Sequence, residues 1–265
     1  MNTRALLEEW DTLFRERRFG EGERMMLQAL ADAEAEQNYG MALSICNELG
    51  GFYRVMARYE EGVQIFEKAA EFLTLLGMTD TPEAATTHLN LATLHAAADD
   101  TKAALREYER AAALYEENGV NDYRLAALYN NMASLYIRLC AYDKAEESER
   151  TAIGMLETME HLTDEYGVSH TVLAEIYLAK GDLQAAKEAI SRAGEIFSSI
   201  EKPSPFHYTA YLGTAGNLCR ACKEPEKAAG YYKRAMDLTE KYSGRNKTYE
   251  ELSRARAACL PEGEA

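Results

Sequence analysis

Small and bulky positions alternate along this chain with a helical period. The stretch "NNMASLYIRLCAYDKAEESERTAI" (130–153) shows the pattern. Positions i, i+3, i+4 and i+7 share one face of an α-helix. Ala133, Tyr136 and Leu139 therefore mark the face of a first helix, A. Ala145 and Ala152, seven apart, mark the face of a second helix, B. "CAYDK" (140–144) reads as the turn between them. Small residues on facing surfaces let two helices approach closely, and bulky neighbours fill the gaps alongside.

The pattern recurs. Aligned on the first small position of helix B, the chain presents Gly22, Gly62, Ala104, Ala145, Ala186 and Ala228, spaced by 40 to 42 residues. Seven residues later an alanine follows in each copy: Ala29, Ala69, Ala111, Ala152, Ala193 and Ala235. Twelve residues before stand Gly50, Ala92, Ala133, Ala174 and Gly216, while Trp10 breaks the pattern in the first copy. Gly213 and Gly216 together predict a looser helix A in the sixth copy. Turns equivalent to "CAYDK" are "ARYEE" (57–61), "DDTKA" (99–103), "GDLQA" (181–185) and "KEPEK" (223–227). Gly181 suits a left-handed C-cap and Pro225 a first helical turn. The linker "GMTDTP" (77–82) combines a Gly stop, an Asp/Thr cap and a Pro start, and "NGVND" and "EKPSP" read the same way. No sustained period-2 alternation occurs, so the fold class is all-α.

This pattern resembles the tetratricopeptide repeat. The family's small–bulky–small spacing is met in "LATLHAAADDTKAALREYERAAALY" (91–115), with Leu91, Ala92, His95, Ala104, Tyr108 and Ala111, and again in "LAEIYLAKGDLQAAKEAISRAGEI" (173–196). The usual period is about 34 residues. The longer copies here are similar to the kinesin-light-chain subtype. The resemblance implies a right-handed α-solenoid of about six helix-turn-helix repeats. They fall near 4–38, 41–77, 82–118, 122–160, 166–200 and 205–242, followed by a C-terminal capping helix at 246–260. The expectation is a single domain over 1–260 with a frayed tail at 261–265. No separate DNA-binding domain is expected before the first repeat.

In the family, helix A lines the concave side of the stack. Carried onto this sequence, peptide contacts are expected from Asn47, Gly51, Arg54, Leu89, Thr93, Asn130, Ser134, Arg138, Glu175, Asn217 and Arg220. An asparagine amide can donate to and accept from a peptide bond at once. An arginine fork suits a carboxylate or phosphate. The Asn–Arg set has a second reading as plain solvated surface. Asn90 and Asn131 are assigned to bonding between adjacent repeats.

Composition narrows the partners. With 44 acidic against 29 basic residues the net charge is −15, which argues against nucleic acid or an anionic membrane as the main partner. "MNTRALLEEWDTLF" carries charges throughout, so no signal segment is expected, and no apolar run is long enough to span a bilayer. Five scattered cysteines suggest a reduced, cytoplasmic protein.

Candidate chemistry is sparse. "CRAC" (219–222) lacks the second ligand pair that a zinc site needs, so both cysteines read as buried thiols. His95 reads as a packing residue, and "HLTDEYGVSH" (161–170) lacks the spacing of a helical metal motif. The carboxylates read as exposed, spaced i,i+3 or i,i+4 from Lys or Arg. The expectation is a non-enzymatic scaffold without cofactor, binding a protein or peptide segment. The alternative is a regulatory sensor of a short signalling peptide or a transcription regulator.

Overall fold

A computed structural model describes residues 3–158 and 164–260, which form thirteen α-helices and no strand. The expected tail at 261–265 lies outside the described residues. The chain divides into two compact units, 1–120 and 121–265. The first holds α1 (Thr3–Arg15), α2 (Phe19–Ala35), α3 (Tyr39–Val55), α4 (Tyr59–Leu76), α5 (Pro82–Ala97) and α6 (Thr101–Glu117). The second holds α7 (Tyr123–Arg138), α8 (Tyr142–Leu156), α9 (Asp164–Lys180), α10 (Leu183–Ser199), α11 (Pro205–Ala221), α12 (Pro225–Ser243) and α13 (Lys247–Ala257).

Odd-numbered helices up to α11 are the A helices and even-numbered ones the B helices. Within each pair A packs on B, and within each unit B also packs on the next A: α2 on α3 and α4 on α5 in the first, α8 on α9 and α10 on α11 in the second. The A helices pack on one another as well: α3 on α5 in the first unit, and α7 on α9 and α9 on α11 in the second. This is solenoid stacking, in which each pair completes its core against its neighbours. In the second unit α13 closes the stack by packing on α12, with Leu252 buried against Leu212 and Tyr232.

The small positions sit where the helices touch. The seventh-position alanines of all six B helices are buried. Trp10, the break in the pattern, is compensated by its partner helix. A Cβ at Gly22 would lie 2.9 Å from the Trp10 ring, so the large residue has moved to A and the hole to B. The sixth copy corrects an expectation. Gly216 does not loosen α11, because the buried Tyr232 ring occupies the space its Cβ would take, 2.6 Å away. Phe197 fills the equivalent space at Gly167.

Each A–B turn contains one residue with positive φ: Arg17, Ala57 and Asp99 in the first unit, Cys140, Gly181 and Lys223 in the second. The hydrogen bonds are those of a Schellman end. Cys140 N–H donates to the Ile137 carbonyl, and Ala141 N–H to that of Tyr136. Thr81 caps α5 through Ala84 N–H with Pro82 following, and Asp122 caps α7 through Arg124 N–H. Among the described residues no helix is long and apolar enough to cross a membrane.

Candidate functional site

The expected contact residues lie on A helices, and each unit presents its own set. In the first unit Asn47 is half-buried on α3. Its Nδ2 donates to Thr87 Oγ1 on α5 (3.2 Å) and to the Leu43 carbonyl (3.1 Å). Its Oδ1 accepts from Asn90 Nδ2 (2.9 Å), so Asn90 does bond between repeats. In the second unit Asn130 on α7 is 5% exposed, and its Oδ1 accepts from Ser169 Oγ on α9 (2.8 Å). The two rungs are equivalent. Each asparagine stands three residues before the small position of its helix, and each hydroxyl five before the next one. These asparagines tie neighbouring A helices together. The hydroxyl partners Thr87 and Ser169 went unread in the sequence, although a Ser/Thr at that register was visible.

The remaining positions are more open. Gly51 and Arg54 border a shallow hollow of about 250 Å³ with Trp10, Phe14 and Glu48. Leu89 and Thr93 are half-buried on α5, and Thr93 Oγ1 donates to the Asn90 carbonyl. Ser134, Arg138 and Arg220 are exposed. Glu175 on α9 and Asn217 on α11 line one cavity of about 460 Å³, whose other walls come from α11, α12, α13 and the turn before α13. Thr214 Oγ1 donates to Glu175 Oε1 (2.6 Å), a third hydroxyl link between successive A helices. Tyr232 donates to Asn217 Oδ1 (2.8 Å), leaving the Asn217 amide nitrogen at the surface.

Two carboxyls depart from the exposed-face expectation. Glu149 on α8 is fully buried, and neither oxygen has a hydrogen-bond partner. It lies on the same helical face as Ala145 and Ala152, at i+4 from the first, which places it inside. Burial pushes its carboxyl well above the ordinary range, and the nearby Glu175 adds to the rise while Ser169 opposes it. Glu175 is likewise raised by burial, with Thr214 opposing. Other acids keep cationic partners. Glu146 on α8 is held low by Lys180 and Arg150, with Tyr177 in the same network.

Among the described residues the cysteines and histidines form no ligand set. Cys219 and Cys222 are half-buried rather than buried, and Cys222 caps the end of α11. Burial raises the Cys219 thiol and takes Cys46 up to about 12, the opposite of a reactive thiolate. His88 pairs with Glu107 at 2.7 Å, and His95 is half-buried beside Asp100. His170 packs edge-on to Tyr166, and burial lowers it to about 4. His161 lies outside the described residues. Among the described residues no three His, Cys, Asp or Glu side chains converge as a metal site.

Family models described as Tetratricopeptide repeat match residues 40–117, 169–197 and 212–245. No curated protein matches the sequence. Among solved structures the chain is similar to BtubC (BKLC) from P. vanneervenii, at 18% identity and TM-score 0.70, covering 87% of this chain and 93% of that one. It is similar to NprR in complex with its cognate peptide NprX, at 14% identity and TM-score 0.71, covering 99% and 75%. It is also similar to a signal-transduction ATPase with a tetratricopeptide repeat sensor from Pyrococcus horikoshii, at 16% identity and TM-score 0.70, covering 97% and 38%. At these identities the likeness is one of fold.

Proposed function

The chain is a tetratricopeptide-repeat protein, and from that premise we propose that it is a non-enzymatic, cytoplasmic scaffold whose A helices grip a peptide segment of a partner protein. The observation that carries this reading is the division of labour among the A-helix residues. Asn47 and Asn130 spend their amides on neighbouring helices and hold them in register. Arg54, Ser134, Arg138, Asn217 and Arg220 stand exposed on the helices so held. Rigid elements displaying polar side chains bind at a low ordering cost. Exposed arginines on a chain of net charge −15 form local grips for a carboxylate or phosphate on the ligand.

A second reading, a sensor of a short free peptide, is favoured by the likeness to NprR, which was solved with its cognate peptide. The two differ in response. A scaffold binds a partner's segment with little change of shape, and a sensor changes shape on binding.

The test is selection from a random peptide library on immobilised wild-type chain and on the Arg54→Ala, Arg138→Ala, Arg220→Ala variant. Circular dichroism shows both to be folded. Peptides retained about tenfold more weakly by the variant are expected, the loss of one charged hydrogen bond being enough. Equal retention by both removes the A-helix assignment. Hydrogen exchange with a retained peptide then separates scaffold from sensor.

A further inference from the structure

The cavity of the second unit carries two carboxyls, Glu175 and Glu251, on a lining of apolar and hydroxyl-bearing side chains. Leu238, Leu252, Ala255, Phe206 and Tyr242 line it, and no lysine or arginine does. Glu175 enters from α9. Its Oε1 accepts from Thr214, and its Oε2 has no partner among the described residues. A half-buried carboxyl on the cavity lining with one oxygen unengaged keeps an acceptor open to a donor that enters there.

We propose that this cavity receives a lysine side chain of the bound polypeptide, with its ammonium group meeting Glu175 Oε2. The inference rests on the reading of the chain as a polypeptide-binding scaffold. The apolar walls suit the tetramethylene stem of a lysine, which packs along hydrocarbon while its charged end finds a polar partner. The single open oxygen selects the headgroup. An arginine fork is best met by two parallel acceptors, and Thr214 already occupies one of them. A point-charge ammonium needs one strong acceptor and completes its set with hydroxyls, which Thr209 and Thr248 supply on the lining. Burial raises the Glu175 carboxyl, so an arriving cation stabilises the ionised form that the empty cavity disfavours. Glu251 on the lining and the net charge of −15 draw a basic segment to this end of the chain.

The probe is Nα-acetyl-lysine N-methylamide, titrated into the full ¹⁵N-labelled chain and followed by amide chemical shifts. Its norleucine and arginine counterparts are the controls. Saturable shifts are expected at Thr209, Thr214, Asn217 and Thr248. Binding should weaken about tenfold or more for norleucine, for arginine and in Glu175→Gln. Ala210→Trp should abolish it by blocking the rim, where Ala210 is exposed. Should Glu175→Gln not fold, Ala210→Trp and the norleucine probe decide the matter. The proposal is overturned by an absence of saturable shifts, by equal binding of norleucine or arginine, or by indifference to both variants. In that event peptides selected by the arginine-dependent surface leave the scaffold reading standing. Lysine-amide binding in a chain that selects no peptide supports the cavity and sinks the scaffold.

Discussion

Single residues carry the packing logic of this chain. Gly216 is buried against the Tyr232 ring, and a Cβ there would lie 2.6 Å from it. Gly230, also inside a helix, has nothing within 4 Å of its Cβ position. The same substitution should therefore act with opposite sign at the two sites. Gly216→Ala gains helix propensity but overpacks a buried ring, for a net loss of about 1–2 kcal/mol. Gly230→Ala should stabilise by about 0.5–1 kcal/mol. Urea midpoints of both variants check this, and stabilisation by Gly216→Ala would show that the ring has room to move.

At the scale of elements, the turns repeat more faithfully in geometry than in sequence. All six A–B turns place one residue at positive φ, yet only Gly181 is a glycine. Gly181, at φ 80, should lose about 1 kcal/mol on substitution by Ala. Lys223, at φ 61, pays the steric cost of a side chain there, so Lys223→Gly should gain about 0.5 kcal/mol. Thermal melts of the two variants should move in opposite directions. The A helices are linked by a second repeating device, the rungs Asn47–Thr87 and Asn130–Ser169, which lock neighbouring helices through buried hydroxyls. Those rungs explain why two of the three expected peptide-gripping asparagines turn inward.

At the scale of the molecule, the acid excess is not all on the surface. Glu149 and Glu175 are raised by burial, and Glu175 adds to the rise at Glu149. A carboxyl whose folded pKa is raised keeps its proton in the folded chain after the unfolded chain has lost it. Its contribution is therefore favourable near and below the ordinary value of 4.5, and it is lost as pH climbs through the folded value. Glu61, Glu107 and Glu146 have the opposite sign: their partners hold them low, and their contribution is lost as pH falls below 4.5. Amide exchange in α8 and α9 should therefore quicken as pH rises above 4.5, after correction for the intrinsic rate. Glu149→Gln should flatten that dependence by up to about 1.4 kcal/mol per pH unit. An unchanged profile in the variant would mean that Glu149 keeps one protonation state throughout.

The sequence by itself determined the helices, their pairing and their caps. These follow from local rules: a 3.6-residue period, small residues seven apart, and Pro, Gly and Asp at helix ends. The register of 40 to 42 residues carried the family with it. Even Glu149 was legible in principle, since it shares a helical face with two buried alanines. Tertiary structure alone decided which polar side chains on the A helices were left exposed. Asn47 and Asn130 share a register, three residues before the small position of their helix, whereas Asn217 stands one residue after Gly216. Their bonding depends on whether a hydroxyl from the adjacent helix, 39 or 40 residues away, or the Tyr232 hydroxyl, 15 away, reaches the amide. The cavity beside Glu175 likewise exists only because α11, α12 and α13 converge around a carboxyl from α9. Hydrogen bonds and voids of that kind are set by distances between helices, which no periodicity along the chain encodes.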